Sequence, residues 1–389
     1  MNNSHSQTIP PTPPLDGASL LVAEFLTGGG WLAECGSEEL SPSLLREGAA
    51  MLAALAGDAL ALDRAPCVPL DARFLEAKAA ARLQADGSPG FVVDSRWRTS
   101  GVFSASQERE ELERLAATCA WSIVLAPETA GWLLRRAEWV DAAGGRRLGC
   151  SLADLALAGD KQLTAERLAQ HRVPVPQGGL IAPGEEFPPS ARFPIVVKPR
   201  DGAGSTDTFY IASPAFAPAI LTRFAGAVRW ETFCPGRAAS VACLCGPGLE
   251  NDSRRVTALP ACRQDVRLDE ASGEGRLTYH GGSLPLPGEL DARARRLAER
   301  AVRTLDAPLG WVGVDLILGD ADDGSQDVVI EINPRYTTSL VGLRAALGVN
   351  LLEAAIQIAE GRPTPALDEA LSRPPRTVEF DPDGTVRRL

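Results

Sequence analysis

Two apolar segments in the C-terminal third carry carboxylates where a carboxylate is expensive to keep. Residues 310–335 read GWVGVDLILGDADDGSQDVVIEINPR. Two Val/Ile/Leu-rich runs flank a polar turn, the composition of a hairpin. With the turn centred on Asp323, Asp315 falls opposite Glu331 and Gly313 opposite Asn333. Alternation then puts Glu331 and Asn333 on one face of the strand and Ile330 and Ile332 on the other. Directly opposed carboxylates repel, and an unpaired buried charge is costly. A divalent cation held by Asp315, Glu331 and Asn333 removes both objections, and this all-oxygen set suits Mg²⁺ or Mn²⁺. A two-sided hairpin with a solvated acidic face is the alternative. An EF-hand fits poorly, because Gly324 falls one place early relative to Asp320, Asp322 and Glu331 and the flanks are strands.

A second constellation is FPIVVKPRDGAGSTDTFYI, residues 193–211. A β-rich run carries Lys198, then a loop with Gly202 and Gly204, then another strand. Glycines let backbone N–H groups close on an anion, and Lys198 adds a point charge beside them. The same residues also suit a plain turn. There is no GK dipeptide for a P-loop, and the HRD and DFG signatures of kinases are absent. Lys and Gly for phosphate, with Asp, Glu and Asn for metal, point to a nucleoside triphosphate with Mg²⁺.

The elements that must position these groups change character along the 389 residues. Residues 1–14 read as a flexible arm. Strand-like runs at 19–27, 67–71, 91–94 and 121–128 alternate with helical runs at 41–60 (Ser41 as N-cap), 74–84, 107–119 and 129–140. That alternation implies a parallel sheet in a Rossmann-like α/β domain over 15–125. Beyond a helix at 161–173, short strands dominate: 193–199, 208–212, 228–233, 237–245, two within 256–268, then 311–318 and 327–333. Helices are expected at 290–305 and over SLVGLRAAL and LLEAAIQIAEG, ending near 361. The 362–389 tail closes with a small hairpin around DPDG.

Composition narrows the functional classes. The chain is 45% hydrophobic and 23% charged, an ordinary globular balance. A net charge of −11 argues against a general nucleic-acid partner, whose phosphates need a basic surface. No apolar run reaches the length of a membrane span, and the Pro-rich start is unlike a signal peptide. A cytoplasmic setting with reduced cysteines is expected. Three scattered His argue against a His-rich metal site. Of 39 basic residues only Lys78, Lys161 and Lys198 are Lys.

In this order the motifs resemble those of ATP-grasp enzymes, across about residues 20–361. The resemblance implies an N-terminal Rossmann-like pre-ATP-grasp domain followed by a two-subdomain ATP-grasp fold, α/β and α+β in class. Its first subdomain would follow linker helices within 126–235, and its second would span 236–361. Lys161 in GDKQLT resembles the first phosphate-binding Lys, and Lys198 the second. The Gly202-Ala203-Gly204-Ser205 segment resembles the mobile loop over the phosphates. WETFCPG resembles the adenine hinge, giving Glu231, Thr232 and Phe233 to the base. Asp315, Glu331 and Asn333 resemble the metal ligands, and Arg335 the arginine on phosphate; Lys198 and Arg335 would be catalytic. Ala238 stands where many relatives place a ribose-binding carboxylate.

EFLTGGG (24–30), LAPETAGWL, TYHGGSLP and EINPRYTTSLVG narrow the resemblance to the tyramine–glutamate ligase branch, which serves methanofuran-type cofactor synthesis. Such an enzyme would use ATP and Mg²⁺ (or Mn²⁺) to phosphorylate a carboxylate, and an amine would displace the phosphate. Arg263, Gln264, His280, Gly281, Gly282 and Thr337 are the expected substrate contacts, His280 being equally readable as a packed loop residue. Small-molecule carboxylate and amine substrates, and a homodimer, are compatible with this reading. So are another amino-acid or dipeptide ligase and a nucleotide-binding regulator without turnover.

Overall fold

The computed structural model describes residues 19–36, 42–77, 93–182, 184–202, 207–248, 254–271 and 274–389. Residues 1–14, Ser41, Lys78, most of the 74–84 helix, and Ala203, Gly204 and Ser205 lie outside the described residues.

The first layer is a four-stranded parallel sheet in the order β3-β2-β1-β4. Its strands are β1 (Leu20–Glu24), β2 (Pro66–Asp71), β3 (Arg98–Val102) and β4 (Trp121–Leu125). Every residue of β1 is buried, as a central parallel strand covered on both faces requires. Helices α1 (Gly30–Cys35), α2 (Pro42–Leu60), α3 (Ala72–Ala77), α4 (Ala105–Ala116) and α5 (Trp132–Ala142) connect them. Met51, Leu52 and Leu55 of α2 pack with Leu20 and Val22. On the opposite face Leu112, Leu115 and Val140 pack with Leu21 and Ala23.

Of the strand expected at 91–94, Phe91 and Val92 lie outside the described residues and Val93 and Asp94 are in no strand; among the described residues the edge of the sheet is Arg98–Val102. An edge strand pairs on one side only and tolerates polar residues, so RTSGV carries little apolar signal.

Helices α6 (Leu152–Ala158) and α7 (Lys161–Gln170) lead into the second layer, whose twelve described strands form one sheet. They are β5 (Gly178–Ile181), β6 (Ile195–Pro199), β7 (Phe209–Ile211), β8 (Val228–Thr232), β9 (Arg237–Gly246), β10 (Arg255–Ala258), β11 (Cys262–Ala271), β12 (Glu274–Leu284), β13 (Gly310–Leu318), β14 (Val328–Asn333), β15 (Val378–Phe380) and β16 (Val386–Arg388). The main path runs β14-β13-β9-β11-β12-β7-β6-β8-β5. Its pairings are antiparallel. Helix α8 (Ala217–Leu221) packs Ala217 and Ile220 against Ile195 and Trp230. Helix α9 (Gly288–Val302) buries Ala294, Leu297, Ala298 and Ala301 with Val312 and Val314 of β13. Helices α10 (Ser339–Leu347), α11 (Leu351–Ala359) and α12 (Pro365–Leu371) join the core that also holds α2.

The C-terminal hairpin expected around DPDG forms as β15–β16 and adds to β12. Besides β3, two segments carried no strand expectation, β5 and β12. In β12 the adjacent Gly281-Gly282 looks like a turn. Their lack of side chains instead admits β15: a Cβ on Gly281 would stand 2.2 Å from the Phe380 carbonyl oxygen. Among the described residues no single helix is long and apolar enough to cross a membrane.

Candidate active site

A cavity of about 360 Å³ opens between the β6–β8 segment and the β9–β14 segment. One wall carries Val196 and Lys198 of β6 with Glu231, Thr232, Phe233 and Cys234. The other carries Ala238, Ser240, Asp315, Leu316, Ile330, Glu331 and Asn333. The floor of β11 and β12 adds Gln264, Val266, Leu268, Leu277 and Tyr279. Lys161, Gly202, Arg335 and Thr337 complete the expected set, and Glu47 of α2 reaches in from the first layer.

The β13–β14 register is the one the sequence implies, Asp315 opposite Glu331 and Gly313 opposite Asn333. The ladder shifts between Asp315 and Leu316. That irregularity breaks strict alternation, so Ile330 lines the cavity beside Glu331 instead of facing away, while Ile332 is buried behind it.

Asp315 Oδ1 accepts from Gln264 Nε2 at 2.9 Å, and Oδ2 accepts from Asn333 Nδ2 at 3.0 Å. Burial first, and the opposed Glu331 carboxylate second, push the Asp315 carboxyl up to about 7. Two acids in contact without an intervening positive charge have this signature. The remaining oxygens of Asp315, Glu331 and Asn333 form a hard-oxygen set that fits a divalent cation. Among the described residues no group of three or more His, Cys, Asp or Glu offers another.

The lysines meet from different elements. Asp160 caps α7 by accepting from the backbone N–H of Gln162 and Leu163 at 2.9 and 3.1 Å. The cap sets Lys161 at the first position of the helix. Lys161 Nζ donates to the Gly202 carbonyl at 2.6 Å and stands 3.5 Å from Glu331 Oε2. Lys198 Nζ lies 2.7 Å from Glu231 Oε2, while Arg229 Nε donates to Glu231 Oε1 at 2.7 Å. Burial alone would raise Glu231, but these two cations hold it below its ordinary value. Glu231 lines the cavity, where the base-edge expectation put it, with both carboxylate oxygens bonded to cations. Thr232 Oγ1 is buried with no partner. Phe233 packs edge-on against Tyr210, centroids 5.2 Å apart. Arg335 is clamped by Glu128, Nε and Nη2 donating at 2.9 and 3.1 Å.

The expected substrate residues separate. Gln264 and Thr337 line the cavity; Arg263, His280, Gly281 and Gly282 do not. Neighbours along a strand face opposite ways, so Arg263 and His280 are exposed where Gln264 and Tyr279 turn inward. His280 Nε2 pairs with Thr278 Oγ1 at 3.0 Å. Gly281 and Gly282 serve the contact with Phe380. Glu47, Tyr279, Thr338 and Ser339 line the cavity without having been anticipated. Glu47 carried no legible signal, being one acid on an Ala/Leu-rich helix. Tyr279 lay within the TYHGGSLP motif but gained a position only from the β11–β12 pairing of Val266 with Tyr279.

Family comparison agrees with this architecture. The model for the ATP-grasp domain matches residues 158–339, and that for the pre-ATP-grasp 3 domain matches 76–153. By these matches the chain carries a pre-ATP-grasp domain followed by an ATP-grasp domain. It is 26% identical over 224 residues to a tyramine–L-glutamate ligase from Methanocaldococcus fervens, covering 58% of this chain and 61% of that protein. The matched region thus spans about six-tenths of the curated relative. Its fold is similar to an ATP-grasp superfamily protein from Archaeoglobus fulgidus, with TM-score 0.61, 20% identity, and 93% and 92% of the two chains covered. It is also similar to an L-amino acid ligase from Bacillus licheniformis, with TM-score 0.60, 15% identity, and 93% and 78% covered.

Proposed function

We propose that this protein is an ATP-dependent carboxylate–amine ligase, joining glutamate to tyramine or a similar amine in one-carbon cofactor synthesis of the methanofuran type. The observation that carries the ligase reading is the convergence of Lys161, Lys198, Arg335 and the Asp315–Glu331 pair on one cavity. The tyramine–glutamate ligase relative supports the choice of substrates. A carboxylate is a poor electrophile toward an amine. Transfer of the γ-phosphoryl group from ATP to a carboxylate oxygen gives an acyl phosphate and ADP. Attack by a neutral amine then forms the amide C–N bond and breaks the acyl C–O bond, and the proton lost by nitrogen leaves with the phosphate as HPO4²⁻.

Phosphoryl transfer needs charge neutralisation and alignment more than a nucleophilic side chain. Lys161 and Lys198 supply ammonium groups to the phosphates, and Arg335, held rigid by Glu128, supplies a guanidinium. Val196, Phe233 and Leu316 offer apolar surface to the base, and the unpartnered Thr232 hydroxyl can bond its edge. Asp315, Glu331 and Asn333 would hold Mg²⁺ or Mn²⁺, which neutralises phosphate charge when bound. All eight cysteines are free thiols, in keeping with a reducing, cytoplasmic setting.

The test is the product formed from ATP, Mg²⁺, glutamate and tyramine. Equimolar ADP, phosphate and a mass equal to glutamate plus tyramine minus water are expected. A different amide mass from an amino-acid panel would reassign the substrates. ATP turnover with no acid–amine pair overturns the ligase reading.

A further inference from the structure

The charges around the cavity do not cancel at one end. Lys198 is matched by Glu231, Lys161 by Glu331 and Arg335 by Glu128. Glu47 projects into the cavity from α2, and its Oε1 accepts from Thr338 Oγ1 at 2.5 Å. No ion pair joins Glu47 to any described residue. Its field reaches Tyr279, which also feels Asp315, and it reaches Arg335, which also feels Glu331. Its bond to Thr338 sets Glu47 in the part of the cavity lined by Arg335, Thr337 and Thr338.

A carboxylate in a cavity whose own cations are engaged selects a cationic ligand group. ATP brings none, and a divalent ion has its oxygen set at Asp315 and Glu331. The remaining candidate is an ammonium group on a substrate. The attacking amine must give up its proton before it forms the amide, so it suits a lasting ion pair less well. An ammonium that stays charged throughout belongs to the acid substrate.

We propose that Glu47 binds the α-ammonium of an amino acid whose carboxyl group is activated in this cavity, and so excludes acids that lack an amino group. This rests on the ligase reading but names a specificity-determining residue that the reading does not assign. Thr338 fixes the carboxylate by its hydrogen bond, and Gln264 and Tyr279 line the approach.

The test is calorimetric binding to the full chain loaded with Mg²⁺ and a non-hydrolysable ATP analogue, so it does not depend on turnover. The probes are glutamate against glutarate and aspartate against succinate. Wild type is expected to prefer one amino acid over its deamino partner by about ten- to a hundredfold, the worth of one charge-assisted hydrogen bond. Glu47→Gln keeps an oxygen that can accept from Thr338 and is expected to lose that preference. Glu47→Asp keeps the charge and is expected to retain part of it. Equal binding of both partners by wild type, binding of none of the probes, or an undiminished preference in Glu47→Gln overturns the proposal. Loss of turnover with intact preference would instead count against the ligase reading alone.

Discussion

Arg335 and Glu128 are 207 positions apart in the chain, yet the guanidinium bonds both carboxylate oxygens at 2.9 and 3.1 Å. The pair ties the segment after β14 to the turn after β4, and so links the ATP-grasp layer to the parallel-sheet layer beside the cavity. Glu128 is buried and Arg335 nearly so. Removing one partner of such a pair strands the other in a poorly solvated place. Glu128→Ala should lower unfolding free energy by about 3 kcal/mol, read from urea denaturation. It should also raise the KM for ATP, because Arg335 loses its orientation. Unchanged stability would mean that the bidentate bond contributes nothing net.

Lys198 belongs to a buried triad centred on Glu231, whose other oxygen pairs with Arg229. Lys198→Met keeps the length of the side chain and removes the charge that the ligase reading assigns to the phosphates. Single-turnover phosphoryl transfer should fall by about 10²–10³, the usual cost of one preorganised donor to developing charge. Arg229 still compensates Glu231, so the fold should hold by circular dichroism. A rate within a few-fold of wild type would remove Lys198 from the phosphate site.

Glu331 and Asp315 oppose one another across a single strand pair. Glu331→Gln removes that repulsion, so the metal-free protein should melt at the same temperature or higher. The upward shift in melting temperature produced by Mg²⁺ with nucleotide should disappear together with turnover. A retained Mg²⁺ shift in Glu331→Gln would place the cation elsewhere.

Cys234 is the one cavity-lining cysteine among the described residues. Cys150 and Cys262 are fully enclosed, and burial pushes both thiols up to about 12. At pH 8, alkylation of the native protein should mark Cys234 slowly and spare Cys150 and Cys262, since the thiolate is the reactive form. Saturating ATP with Mg²⁺ should block the Cys234 peptide, read by mass mapping. Equal labelling with and without nucleotide would separate this wall of the cavity from ATP.

Asp160 caps α7 and receives Arg200 Nε at 2.7 Å. Burial alone would raise its carboxyl, but Arg200 and the capped N–H groups hold it below the ordinary value. A carboxyl lowered on folding contributes stability above its unfolded pKa and loses it as pH falls through the folded value. Asp160→Ala should therefore cost about 1 kcal/mol at pH 7 and progressively less as pH drops below the usual carboxylate range. A cost independent of pH would assign the effect to helix propensity.

Much of this architecture was legible because local chemistry and local pairing coincide. The 310–335 hairpin folds on its own register, so polar turn composition and strand alternation were enough to oppose Asp315 and Glu331. Lys198 was legible beside its glycine loop, and Lys161 through the resemblance of GDKQLT. Edge strand β3 and the glycine-bearing β12 escaped because a strand that pairs across distant sequence needs no apolar run. Ile330 escaped because a shifted ladder leaves no mark in composition.

Residue types and spacing alone opposed the acidic pair and set Lys198 beside its glycine loop, since each depends on residues within a strand or a turn, while the ATP-grasp architecture and Lys161 came from the resemblance of successive motifs. Only the tertiary structure decided which groups share the cavity. It brought in Glu47 and Tyr279, turned Glu231 toward Lys198 and Arg229, and left Arg263 and His280 outside. Those outcomes depend on which face a strand presents and which helix reaches across from another layer, and both are set by packing between residues far apart in the chain.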